Sequence, residues 1–122
     1  MVKAIFYQEA DGTCPVLEFL RHAPLSAQAT ARRRLELLKQ EGHELRRPHA
    51  AYLRDGVYEL RWRWQRVNYR VLYSFHGKAA VVLTNALTKE DVVPPTEINR
   101  AISRKKLFEA NPQKHTYQGE AL

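Results

Sequence analysis

Charged and apolar residues alternate along Val57 to Trp64 (VYELRWRW), and a second alternating segment, Val67 to Phe75 (VNYRVLYSF), follows after two residues. Folded back on each other about Gln65-Arg66, the segments oppose Tyr58 to Tyr73, Leu60 to Val71, Trp62 to Tyr69 and Trp64 to Val67 on one face. The other face then opposes Arg61 to Arg70 and Arg63 to Asn68, with Glu59 opposite Leu72. Two facing guanidiniums repel by about a few tenths of a kcal/mol or more, and an anion between them removes that cost. The planar donor fork of arginine suits phosphate, so Arg61, Arg70 and Arg63 are candidate anion ligands. The alternative is that they point into water and lean on Glu59.

Other groups offer less. The histidines at 22, 43, 49, 76 and 115 show no metal-ligand spacing, and Cys14 is the only cysteine, so no metal centre is expected. Gly-rich phosphate loops are absent, and Ser26, Ser74 and Ser103 lie in no nucleophile signature. Trp62, Trp64 and Tyr69 could stack bases, although packing against a helix is their simpler use. Arg32-Arg33-Arg34 reads as a solvated helix face that adds to a general attraction for RNA.

The elements that must position these residues follow from periodicity. Lys3 to Tyr7 alternates as a first strand. Pro15 opens a short helix carrying Val16, Phe19 and Leu20, which Pro24 ends. A second helix runs from a Ser26 cap to about Glu41, with Ala27, Ala31, Leu35 and Leu38 as its apolar stripe. His43 to Gly56 reads as a loop from which Tyr52 and Leu53 tuck inward. Strands over Val57–Trp64, Val67–Phe75 and Ala79–Leu87 follow, the last almost wholly apolar, as a central strand should be. After Pro94-Pro95 a final helix spans about Thr96 to Phe108, and Asn111 to Leu122 reads as extended or loosely ordered. The β-α-α-β-β-β-α order argues an α+β fold, a small, mainly antiparallel sheet with helices packed on one face.

The chain has 122 residues, 20 basic against 13 acidic, and a formal net charge of +7. That length suits one domain with a real core, and the charge favours a polyanionic partner. No apolar run approaches the roughly 20 residues that span a bilayer, and Met1-Val2-Lys3 leads into a strand pattern rather than a signal peptide. A cytoplasmic protein without a membrane association is expected.

The ordered set of Tyr58-Glu59-Leu60-Arg61, Tyr69-Arg70-Val71-Leu72-Tyr73, Leu87-Thr88-Lys89-Glu90 and Val93-Pro94-Pro95-Thr96-Glu97-Ile98 resembles the RelE/HigB-type toxin superfamily in its phage-derived branch. Phe108 to Pro112 and Lys114 to Tyr117 extend the likeness, so that residues 1–110 make a RelE-like domain and 111–122 a C-terminal tail. The resemblance implies the toxin of a type II toxin–antitoxin pair, a metal-independent, cofactor-free endoribonuclease that cuts mRNA in the ribosomal A site by attack of the 2′-hydroxyl. It implies a helix-turn-helix antitoxin as partner, with operator DNA reached only through that antitoxin. By the same resemblance Arg61, Arg70 and Lys89 bind phosphate and stabilise charge, and Glu59 is either the base or a salt-bridge partner of the arginines. Arg63, Arg54, Arg46 and Arg47 are expected to hold RNA, and His115 or Tyr117 could serve as acid or base if the tail folds back. Many relatives carry two lysines where this chain has Thr88-Lys89-Glu90. Arg70→Ala is expected to abolish toxicity with the fold intact, the site being taken as a solvent-facing surface. A non-catalytic nucleic-acid or partner-binding module on the same fold is the alternative.

Overall fold

The computed structural model describes residues 1–89 and 91–122; Glu90, quoted in the resemblance, lies outside the described residues. The chain forms β1 (Lys3–Phe6), α1 (Pro15–Arg21), α2 (Leu25–Glu41), β2 (Ala50–Arg54), β3 (Val57–Trp64), β4 (Val67–His76), β5 (Ala80–Thr88) and α3 (Pro95–Ala110). The five strands make one sheet in the order β1-β5-β4-β3-β2, with β1 parallel to β5 and every other pair antiparallel. The fold is α+β, as the element order indicated.

The β3–β4 register opposes Tyr58 to Tyr73, Leu60 to Val71, Arg61 to Arg70 and Arg63 to Asn68, the pairing derived from alternation. A two-residue turn fixes it, with Gln65 at φ +54. The stretch read as a loop contains β2, an edge strand on β3. Asp55-Gly56 joins the two with φ values of +51 and +79, the doubly left-handed turn that Asp-Gly favours. Tyr52 does not tuck in: it is 57% exposed, while Leu53 is half-buried. Helix α2 opens at Leu25 on Pro24 rather than on a Ser26 cap.

Helices cover both faces of the sheet rather than one. Val16 and Leu20 of α1 and Ala27, Ala31, Leu35 and Leu38 of α2 pack with Leu60, Val71, Tyr73 and Leu83. Ile98 and Ala101 of α3 pack with Val57 and Leu72 on the opposite face, and Phe108 with Val82. The apolar run of β5 requires this, because successive residues point to opposite sides and each side must leave water. On this α3 side of the sheet Glu59 and Arg70 are buried, Arg61 is half-buried and Arg63, further along β3, is exposed.

The tail is ordered along β1. Gln8 N–H donates to the His115 carbonyl and Tyr117 N–H to the Phe6 carbonyl, both at 2.9 Å, and Tyr7 bridges Thr116. The His115 ring, 5% exposed, stacks on Tyr7 with centroids 5.1 Å apart, and its Nδ1 donates to the Gln8 carbonyl at 2.8 Å. Burial, with Glu9 alongside, pushes the Tyr7 phenol up to about 12; burial also raises the Tyr73 phenol. An unfolded tyrosine ionises near pH 10, so the folded phenols hold their protons where unfolded ones lose them. Stability should therefore be intact below pH 10 and fall as pH rises through about 12. Chemical denaturation at stepped alkaline pH checks this, and Tyr7→Phe should flatten the loss.

Candidate functional site

The sheet lines up three charged or polar rows across β3, β4 and β5. Glu59 opposes Leu72 and then Asn85; Arg61 opposes Arg70 and then Leu87. Arg63 opposes Asn68, whose carbonyl accepts the Lys89 N–H at 3.1 Å, so Lys89 closes the third row.

The two facing arginines share a carboxylate. Arg70 Nη1 donates to Glu59 Oε1 at 3.3 Å, and Arg61 Nε lies 3.7 Å from the same oxygen. Arg70 Nη2 donates to the Asp91 carbonyl. Glu59 is 3% exposed and Arg70 7%, whereas the Arg61 side chain keeps 34% of its surface. The site is therefore not wholly a solvent-facing surface: Arg70 is its floor and Arg61 its wet edge. Burial follows from Val93 and Ile98, which seat α3 and the segment before it against Leu72 on this face. One buried carboxylate between two guanidiniums removes most of their repulsion and leaves positive charge in excess. Among the described residues Arg70 Nε is buried without an acceptor, which is uncommon in native proteins.

Two concavities meet at Arg61 and Arg70. One, of about 490 Å3 beside α3, is lined by Arg47, Arg54, Glu59 and the Asp91 segment. The other, of about 420 Å3 at the outer end of β3, is lined by Arg34, His49, Trp62, Arg63, Asn68 and Tyr69. Lys89 lines a neighbouring hollow with Arg66 and Asn68. Arg54 reaches Asp55 at 2.9 Å and Asn99 at 2.6 Å, and Arg63 Nε donates to the Gln65 carbonyl at 3.0 Å. A larger hollow between α1 and α3 has its arginines committed, Arg100 to Glu97 at 2.5 Å and Arg104 to Glu9 at 3.2 Å.

The structure thus gathers Glu59, Arg61, Arg70, Arg63, Arg47 and Arg54, with Lys89 adjacent. It does not bring in the others. Arg46 donates to the His43 and Leu45 carbonyls and acts on the Tyr73 phenol, which lies on the α1–α2 side of the sheet. His115 and Tyr117 sit along β1, the opposite edge of the sheet from β3. The tail does fold back, but onto the wrong strand for them to serve these arginines. Sequence reasoning missed two residues of the cleft, Arg34 and His49. Arg34 sat in an apparently solvated run, and no periodic signal marks His49 in the segment before β2.

Comparison with known families matches residues 18–106 to the model of the phage derived protein Gp49-like (DUF891) family. The chain belongs to that family. The match runs from α1 into α3, so Glu59, Arg61, Arg70 and Lys89 of this Gp49-like chain fall inside it and the β1–tail edge falls outside. The family is toxin-like and points to a role in toxin–antitoxin systems. No curated protein matches the chain. Among the described residues no helix of this Gp49-like protein is long and apolar enough to cross a membrane.

Proposed function

We propose that the chain is the toxin of a type II toxin–antitoxin pair, a RelE/HigB-like endoribonuclease that cuts mRNA on the ribosome. The observation that carries this reading is the pair Arg61 and Arg70, set side by side on the Glu59 carboxylate at the meeting of two arginine-lined concavities. Attack of an RNA 2′-hydroxyl on its own phosphate builds negative charge on the non-bridging oxygens of a pentacoordinate phosphorus and breaks the bond to the next nucleotide's 5′-oxygen, which takes a proton from water and leaves as a hydroxyl. Arg61, which reaches solvent, is placed to donate to those oxygens, and Arg70 behind it supplies fixed positive charge. Glu59 holds both guanidiniums in place; its depth and its ion pairs suit a brace rather than a base. His49, on the wall of the same cleft, carries an imidazole able to accept a proton and is assigned the 2′-hydroxyl proton. Arg47, Arg54, Arg63 and Lys89 hold the strand on either side. The partners are ribosome-bound mRNA and a helix-turn-helix antitoxin, which alone contacts operator DNA, and the reaction needs no metal.

An RNA carrying a single 2′-deoxy nucleotide at the mapped cut tests the chemistry. Cleavage should stop there, and the unmodified RNA should yield a 2′,3′-cyclic phosphate with or without a transition-metal chelator. Cleavage of the deoxy substrate at the same place would contradict the reading. One observation favours a binding module instead: both terminal nitrogens of Arg70 are engaged inside the protein. That reading expects steeply salt-dependent RNA binding and no product.

A further inference from the structure

Strand β2 pairs with β3 only as far as Leu60, opposite Ala50, and Arg61 N–H closes the contact on the His49 carbonyl at 2.8 Å. Among the described residues no strand pairs on that side with the remaining part of β3, through Trp64. The cleft there wraps the edge: Arg61, Arg63 and Arg70 come from one sheet face, while Trp62 comes from the other and Arg34 from α2 above it. Of the three consecutive α2 arginines, Arg32 and Arg33 are exposed and Arg34 is half-buried. Among the described residues Arg34 has no acidic partner.

Among the described residues three N–H donors of this cleft are buried without an acceptor, Arg70 Nε at its floor and, on the far side, Arg34 Nε and Trp62 Nε1. Trp62 is 6% exposed, and its ring stacks on Tyr69 at 5.6 Å with an interplanar angle of 5°, which fixes where the indole edge lies. Buried donors left unpaired are costly and rare. The two on the far side, one of them on a guanidinium with no carboxylate among the described residues, fit an acceptor that arrives from outside. The surrounding charge is positive on both faces of the edge, so that acceptor is anionic and continues past Arg61. We propose that Arg34 and Trp62 hold the phosphodiester next to the one at Arg61 and Arg70, so that a single RNA strand crosses the outer edge of β3. This rests on the RNA-cleaving reading above.

The probe is a labelled 2′-O-methyl RNA oligonucleotide, which binds but cannot be cut, titrated at several salt concentrations. Arg34→Ala should weaken binding about tenfold and lower the salt slope by about 0.7, the loss of one phosphate contact on a single strand. Arg34→Lys should restore the slope but not the full affinity, because it keeps the charge and loses the fork. Trp62→Phe keeps the stacked ring and should weaken binding with the slope unchanged. Arg32→Ala, two residues before Arg34 on α2 and exposed, is the control, and circular dichroism confirms that each variant is folded. Equal salt slopes for Arg34→Ala and Arg32→Ala would overturn the second contact while leaving the cleavage reading standing. Wild-type protein that shows no salt-dependent binding of this RNA would overturn the strand path across β3, whereas the cleavage reading is decided by primer extension with ribosomes.

Discussion

Arg70→Ala should unfold the protein more readily by about 3–5 kcal/mol, the usual cost of removing one partner of a buried ion pair. The truncation strands Glu59, which is 3% exposed, with Arg61 at 3.7 Å as its one remaining cation among the described residues. It also frees the Asp91 carbonyl that Arg70 satisfies. Loss of activity in this variant therefore says little about chemistry, contrary to the expectation of an intact fold. Thermal or urea unfolding of Arg70→Ala, Glu59→Gln and the double variant measures the effect. The double variant should be less destabilised than the sum of the singles, because removing both charges leaves no buried charge alone. A loss below about 1 kcal/mol for Arg70→Ala, the range of exposed pairs, would show that the pair is not buried in solution.

Arg61→Ala should do the reverse. Its side chain keeps a third of its surface in water and its contact with Glu59 is long, so stability should change by less than about 1 kcal/mol. RNA cleavage should fall by about 10²–10³, the cost of losing one well-aimed donor to developing charge. Arg61→Lys should recover part of the rate, since it keeps charge and loses the planar fork. Single-turnover rates with saturating protein separate this from weakened binding. An unchanged rate in Arg61→Ala would remove Arg61 from the reacting phosphate.

The opposition of Arg61 to Arg70 was legible because side chains alternate along strands and a two-residue turn leaves one register. Alternation says which face a residue takes, not how deep it lies. The burial of Glu59 and Arg70 depends on Val93, Ile98 and the Asp91 carbonyl arriving from a later segment, and no local pattern near β3 encodes that. β2 was missed although Asp55-Gly56 announces a hairpin, since polar and proline-containing residues before it masked a short edge strand. The helical period of α2 places Arg34 in water, since it carries no sign of the sheet edge that lies below it. No local pattern in the tail encodes its order, which comes from pairing with β1, a contact across nearly the whole chain.

The most direct test of the central claim is primer extension on mRNA in a purified translation system, comparing wild type with Arg61→Ala, each with and without ribosomes. Cuts phased with codons, present only with ribosomes and lost in Arg61→Ala while that variant remains folded, are the expected result. A folded, antitoxin-free wild-type protein that leaves every mRNA intact would contradict it.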